Sequence, residues 1–332
     1  MKITVILCTY NRCQDLVNAL SSAAASRLPE SVEWEVLVVD NNSSDQTREA
    51  VEGFLRRYPG RFRYLFEPQQ GKSHALNAGI RETQSEILAF TDDDAIVDPD
   101  WLWNLTSALH GREWSGVGGR IIPVWAKPLP SWLSTADPDT MGPFVAFDPG
   151  TGAGPLRRPP YGANMAFRRE AFEKYGGFRV DLSRSCSNLQ GREDIEFANR
   201  LLAGGERLWY EPRAVVRHPA PEYRMEKRYV LNWWFRYGYL EVADSGPPSD
   251  ARWLLRGVPL YLFRRLLRWT LQWMISIAAP RRFSCKRNIW YIAGTILACY
   301  QWPLRRNAQA PATGEIPGAH PERTPPQAGT PR

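Results

Sequence analysis

Four short apolar runs, each followed by a helical period, occupy residues 2 to 110 and leave this chain few possible folds. Lys2–Cys8 (KITVILC), Trp34–Val39, Arg63–Phe66 and Ile87–Thr91 are rich in apolar residues and too short for helices, so they read as strands. Between them the apolar positions fall at helical spacing. Leu16, Val17, Leu20 and Ala24 follow a start at Asn11 or Arg12; Val51, Phe54 and Leu55 sit within Thr47–Tyr58; Ala75, Leu76, Ala78 and Ile80 sit within Gly71–Glu82. This alternation predicts an α/β unit whose mainly parallel sheet is flanked by helices. Ligands of such sheets bind beyond the carboxyl ends of the strands, so Tyr10, Asp40 and Asp92–Asp94 are expected to converge on one crevice.

The chain has 332 residues, 43% hydrophobic and 23% charged, a balance that supports a folded core and excludes a disordered chain. Its net charge of +7 is unevenly distributed. Residues 1–212 carry 23 Lys or Arg against 28 Asp or Glu, whereas residues 213–332 carry 19 against 7. An acidic front can hold a cation, and a basic back can lie against anionic lipid or nucleic acid. Five cysteines without a metal-knuckle spacing read as reduced thiols. The apolar start is too short for a signal peptide. Residues 123–160 are proline-rich and lose the helical period, as a functional or mobile connection does. Residues 307–332, with 6 Pro and almost no large apolar side chain, are expected to be disordered.

Chemistry concentrates in FTDDDAIVDP, residues 90–99. On an extended segment Asp92 and Asp94 point to one side and Asp93 to the other. Like charges this close repel, and a hard divalent cation relieves the repulsion through carboxylate oxygens. A solvated turn capping the helix at Asp100–Leu109 is the plainer reading. Asp40 can close an Asx-turn over Asn41-Asn42-Ser43 or accept hydrogen bonds from a base or ribose. Gly71-Lys72-Ser73 lacks the first glycine of a phosphate loop, since Phe66 stands there, and Gly116-Val117-Gly118-Gly119 lacks the third glycine of a dinucleotide fingerprint. Lys72, at a helix start, can still meet a phosphate. Glu193 and Asp194 open the helix Glu193–Ala203, either as ordinary first-turn acids or as a general base at the crevice mouth. His218 follows the strand-like Ala214–Arg217 and is a structural histidine or a ligand.

Taken in order, CTYNR (8–12), VVDNNSSD (38–45), GKSHALNAGI (71–80), FTDDDAIVDPDWL (90–102), GANMAFRREAFEKYGGF (162–178), GREDIEFANRLLAGG (191–205) and WYEPRAVVRHP (209–219) resemble glycosyltransferase family 2, with the Rossmann-like GT-A fold. The resemblance spans residues 1 to about 220. It implies a nucleotide-binding half (1–110) and an acceptor or catalytic half (111–220). It also implies an inverting transfer from a nucleotide-sugar, most often a UDP-sugar, assisted by Mn²⁺ or Mg²⁺. Carried over residue by residue, Thr9, Tyr10, Arg12 and Asp40 lie near base and ribose, and Lys72 near the diphosphate. Asp94 is the metal ligand, with Asp92 beside it and Asp93 as the variable middle residue of the motif. His218 matches a position that ligates metal in some relatives. Gly162, Ala163 and Asn164 match the segment flanking the donor sugar, with Ala163 where many relatives have glycine. Asp194 matches the base, with Glu193 as its partner.

Behind this unit, residues 221–306 are basic and aromatic. Within Trp253–Ala279, Arg264, Arg265 and Arg268 cluster on one side of a helical wheel, with Tyr261 and Ile275 among them. Leu262, Phe263, Leu266, Trp269, Trp273, Met274 and Ile277 take the other side. This is the pattern of an interfacial helix on anionic lipid. Asn288–Leu304 carries no charge between Lys286-Arg287 and Arg305-Arg306, yet is short for a span, so a shallow or re-entrant insertion is expected, with burial against the catalytic unit as the alternative. These features place the protein on the cytoplasmic face of the membrane, peripheral or monotopic, acting on a glycan or lipid-linked acceptor in cell-envelope or exopolysaccharide assembly. Nucleic acid is not expected as a partner, because the arginines interleave with large aliphatics. Oligomeric state is not legible. Two other readings are open: a sugar-phosphate nucleotidylyltransferase, which would want a glycine-rich signature after the first strand, and a non-catalytic sugar-nucleotide-binding protein at the membrane surface.

Overall fold

The computed structural model describes residues 1–111, 113–183, 191–248 and 254–309. Strands β1 (Lys2–Thr9), β2 (Glu33–Asp40), β3 (Phe62–Phe66) and β4 (Ile87–Asp92) alternate with helices α1 (Cys13–Ala24), α2 (Thr47–Arg57) and α3 (Lys72–Glu82). These are the elements expected from the periodicity, with ends shifted by one or two residues. Then follow β5 (Ile96–Val97), α4 (Trp101–Ser107), β6 (Gly116–Trp125), α5 (Pro138–Met141), β7 (Gly154–Leu156), β8 (Met165–Arg168), α6 (Arg169–Tyr175), α7 (Glu193–Ala203) and β9 (Leu208–Ala220). The nine strands form one sheet in the order β3-β2-β1-β4-β8-β6-β9-β5, with β7 paired to β9. The first four run parallel, and β8 enters antiparallel between β4 and β6.

Both faces of the sheet are covered, which is why β1 and β2 read as continuous apolar runs. Ile3, Val5 and Leu7 of β1 pack with Leu16 and Leu20 of α1, Val51 of α2 and Trp101 of α4. Ile6 of the same strand points the other way, to Leu76 of α3, Phe172 of α6 and Phe197 of α7. Five phenylalanines bind α6 and α7 to the sheet there, with Phe172 and Phe197 stacked 4.5 Å apart at 4°. This packing fixes the N-terminus of α7, where Glu193 and Asp194 stand.

The C-terminal region departs from expectation. It comprises α8 (Lys227–Ser245), α9 (Leu260–Ile275) and α10 (Ala279–Gln309). Asn288–Leu304 is no separate insertion; it lies inside the 31-residue α10, where Ile292, Ala298 and Cys299 are buried against α8 and α9. A close crossing holds the pair: a side chain at Gly294 would strike the Phe235 carbonyl, and one at Gly238 the Tyr291 carbonyl. Arg287, expected as a flanking membrane charge, is buried and bonds Asp137 of the proline-rich segment at 3.0 Å. The broad apolar side of α9 also turns inward: Leu262, Phe263, Leu266 and Trp269 pack toward α10, leaving another stripe outside. Among the described residues no helix is long and apolar enough to cross a membrane. Four of the five cysteines are described, and all four are free thiols. Trp253 and the tail beyond residue 309 lie outside the described residues.

Candidate active site

Register brings the acidic motif to its partners. Cys8 pairs with Asp92 and Thr9 with Asp40, so the ends of β1, β2 and β4 lie side by side. The chain turns after β4 and returns as β5, which pairs antiparallel with β9 through Ile96 and Arg217. His218 thereby arrives beside Asp94. Its Nε2 lies 3.2 Å from Asp94 Oδ1 and 3.8 Å from Asp92 Oδ2. Its Nδ1 lies 3.1 Å from the Pro219 carbonyl, which can accept from an Nδ1–H and leaves Nε2 as the ring atom turned to the carboxylates. Asp94 Oδ1 is buried and has no hydrogen-bond partner among the described residues. Two hard oxygen donors and one imidazole, with ligand atoms within 4.8 Å of one another, fit a divalent cation of the Mn²⁺ or Mg²⁺ type.

The middle carboxylate behaves differently, although not through strand alternation: β4 ends at Asp92, and Asp93 and Asp94 lie in the turn after it. Asp93 Oδ2 accepts from the Thr9 hydroxyl at 2.9 Å, and its Oδ1 lies 3.2 Å from Arg12 Nη1. Arg12 also reaches Asp94 Oδ2 at 2.8 Å. Burial pushes Asp93 up to about 6 despite Arg12. Burial acts on Asp94 as well, but His218 and Arg12 outweigh it and hold that carboxyl below its ordinary range. The turn before Arg12 is set by Asn11, at φ 50°, whose carboxamide oxygen accepts from the Ser44 N–H. Tyr10 is left exposed at the rim.

Lys72, the first residue of α3, donates to Asp92 Oδ1 at 2.6 Å. Gly71 before it has φ 135°, a conformation side chains avoid, and a Cβ there would crowd Ser183 Oγ at 3.1 Å. Burial alone would lower the Lys72 ammonium; Asp92 and Glu193 reverse this and raise it. Lys72 also approaches the opposite wall. Asp194 Oδ2 accepts from the Gly162 N–H at 2.6 Å, and a Cβ on Gly162 would sit 3.2 Å from that oxygen and 3.7 Å from Lys72 Nζ. The other Asp194 oxygen accepts from the Ile195 N–H at 2.7 Å. Two backbone donors therefore aim this carboxylate, while burial raises its proton affinity against the pull of Lys72.

Two cavities result. The first, about 280 Å³, is lined by Thr9, Tyr10, Arg12, Asp92–Asp94 and His218. The second, about 160 Å³, is lined by Glu193, Asp194, Gly162, Tyr161, Tyr229 and Trp233. They share Lys72, Asp92, Val145 and Arg224.

Two expected residues line neither cavity. Asp40 is 2% exposed; its oxygens accept from the Ser43 N–H at 2.9 Å and the Tyr64 hydroxyl at 2.8 Å, the Asx-turn alternative. Its neighbour Asn41 takes the place on the cavity wall. Asn164 is fully buried. Its amide donates to the carbonyls of Arg120 and Ala214, and its oxygen accepts from Trp101 Nε1 at 2.8 Å, so it ties strands together. Arg224, buried at the junction of the cavities, was not foreseen, nor was the aromatic wall from α8. The wall had a signal: Tyr229, Trp233 and Tyr237 recur every fourth residue, one face of a helix. Arg224 had none, since its place depends on the turn after β9.

Glu193 gives a stability prediction. It is buried, its Oε2 finds no hydrogen-bond partner among the described residues, and burial, reinforced by Asp194, pushes its carboxyl up to about 7 from an ordinary 4.5. The folded state therefore binds this proton more tightly than the unfolded chain. The advantage is complete below about 4.5 and is lost as pH rises through 7. Glu193→Gln cannot ionise. It should match the wild-type stability at pH 4 and exceed it at pH 8 by on the order of 2 kcal/mol, seen as a higher melting temperature. Thermal unfolding at the two pH values measures this, and equal values at pH 8 contradict it.

The description "Glycosyl transferase family 2" matches residues 4–176, just over half the chain. The succinoglycan biosynthesis protein ExoM of Rhizobium meliloti is 29% identical over 239 residues, covering 72% of this chain and 73% of ExoM. The glucosyl-dolichyl phosphate glucuronosyltransferase of Haloferax volcanii is 25% identical, covering 72% and 76%. Among solved structures, the mannosyltransferase PcManGT of Pyrobaculum calidifontis, in complex with GDP-Man and Mn²⁺, superposes with a TM-score of 0.53 at 22% identity, over 95% of this chain and 76% of that one. The 1–349 segment of S. aureus TarS superposes at 0.50 and 15% identity, over 93% of this chain and 92% of that segment. With the mixed sheet, the flanking helices and the acidic cluster at the strand ends, these similarities make the chain a glycosyltransferase of the GT-A fold that belongs to glycosyl transferase family 2.

Proposed function

We propose that the chain moves a sugar from a nucleotide-sugar to a hydroxyl of a glycan or lipid-linked acceptor, inverting the anomeric centre. One observation carries the reading: the cation-fitting cluster and the aimed Asp194 carboxylate face two cavities that meet at Lys72 and Asp92. Asp92, Asp94 and His218 would hold Mn²⁺ or Mg²⁺, which when bound supplies positive charge for the leaving diphosphate. Lys72 and Arg224 add fixed positive charge at the junction, where the bond to that diphosphate breaks. Thr9, Tyr10, Arg12 and Asn41 border the space for the nucleoside. In the second cavity Asp194 takes the proton of the acceptor hydroxyl while its oxygen bonds to the anomeric carbon from the face opposite the leaving group. Burial, by raising the proton affinity of Asp194, makes it a stronger base than a solvated aspartate. Neighbouring structures in complex with GDP-Man and Mn²⁺ or with UDP, and the name of ExoM, support this donor chemistry and a role in polysaccharide assembly.

A thermal-shift screen of nucleotide-sugars with Mn²⁺ tests the proposal, since a ligand bound only by the folded state raises its melting temperature. A chain that gains no stability from any of them, and hydrolyses none, overturns it.

We further propose that α9 rests on an anionic bilayer surface. Leu267, Leu271, Met274 and Ile275 on its outer side are 61%, 49%, 56% and 79% exposed, and Ile277 just beyond it is 96% exposed. Arg264 and Arg268 share that stripe, and Arg281 and Arg282 follow it. Exposed aliphatics ringed by arginine complement lipid headgroups and the acyl boundary. Co-sedimentation with vesicles should be stronger for anionic than neutral lipid. It should weaken about tenfold or more in Leu267→Asp combined with Leu271→Asp. Equal binding to both vesicles, unmoved by the substitutions, contradicts the placement.

A further inference from the structure

The cavity beside Asp194 does not end the groove. A further chamber of about 200 Å³ adjoins it, and the two share Gly142, Tyr161, Ile195, Trp233 and Tyr237. Trp233 and Tyr237 stack at 5.2 Å and 13°, a pair of nearly parallel rings lining both chambers. Trp234 stands at 73° to Trp233 and forms a corner of the outer chamber. Its indole Nε1–H is buried and has no acceptor among the described residues. Asp139 and Arg158 complete the polar lining.

The chemistry of this lining selects its occupant. Flat aromatic faces match the C–H face of a sugar ring, and a buried N–H, a carboxylate and a guanidinium match its hydroxyl rim. An acyl chain would leave the indole N–H unpaired, at the cost of a desolvated donor. A phosphate would meet the Asp139 carboxylate and find Arg158 already lying over the Phe147 ring at 4.7 Å. We infer that the acceptor presents at least two linked sugar units, the reactive one beside Asp194 and the next against the Trp233–Trp234 corner. This rests on the glycosyl-transfer reading above and specifies its acceptor.

Acceptor length can be read directly. Glycolipids and soluble glycans from a host lacking the gene are incubated with the full chain, Mn²⁺ and the nucleotide-sugar that stabilises it. Products are then sized by mass spectrometry. Products with three or more sugar units are expected; products with two, built on a single-sugar acceptor, overturn the inference. Absence of any extended product with every nucleotide-sugar counts against glycosyl transfer itself, so the two failures are distinct. On the acceptor so identified, Trp234→Phe should raise the acceptor KM roughly fivefold, with a smaller effect on kcat, because one hydrogen bond is lost while the ring remains. Arg158→Gln, on the facing loop, should move KM in the same direction and serves if α8 does not tolerate Phe. An acceptor KM unchanged in the folded variants overturns the placement.

Discussion

Replacing Asp194 by Asn is expected to lower transfer by about three orders of magnitude, the middle of the range for removing a general base. Asn keeps the size and one carbonyl oxygen, so one of the two backbone bonds, from Gly162 or Ile195, can persist. The other N–H would then face an amide NH₂ and lose its acceptor, which should cost about 1 to 2 kcal/mol of stability. Nucleotide-sugar affinity should change little, because the first cavity is built from other residues. Calorimetric titration beside steady-state rates separates these effects. A variant with wild-type turnover would transfer the role to Glu193, which lines the same cavity. The pH profile adds a second check. The active base is the carboxylate, and burial raises its pKa, so the acid limb of kcat/KM should lie above the range of a solvated aspartate.

Asp94→Asn should abolish the metal dependence of donor binding, with a loss of affinity in the presence of Mn²⁺ of about a hundredfold or more. Asp94 Oδ1 faces His218 Nε2 without a hydrogen bond, so it is the oxygen best placed to bind a cation. The substitution also weakens the Arg12 bridge to β4, since the charge opposite Arg12 Nη1 is gone. Asp93 retains its own contact with Arg12, so the strand ends should stay together. Titrating donor with and without Mn²⁺ measures the effect. If the variant binds donor as tightly as wild type and still responds to Mn²⁺, the cation sits elsewhere.

Much of this site could be read before any coordinates. The acidic residues follow apolar runs, and the end of a parallel strand is a fixed place in an α/β sheet, so Tyr10 and Asp92–Asp94 fell at one crevice as expected, whereas Asp40 did not. Glu193 and Asp194 were legible as the first turn of a strongly periodic helix. Asp40 and Asn164 show the limit. Both stand in motifs that resemble a ligand-binding set, yet their polar atoms are taken up by Ser43, Tyr64, Trp101 and strand carbonyls. A polar residue near a site is not thereby in it; its hydrogen-bond partners decide, and those lie up to 63 positions away in sequence for Asn164 and Trp101. The C-terminal helices show the same limit. Charge and hydropathy describe what a surface would prefer to meet, and for Arg287 and most of the apolar side of α9 that partner is the protein itself.

Local order, then, was written in the chain: which segments are strands or helices, and which acids cap them, follow from side-chain spacing over a few residues. Which of those groups face one another was decided by strand register and by α8 packing across Gly238 and Gly294. These are contacts between distant segments, whose free energy depends on shape and burial that no short stretch of sequence contains.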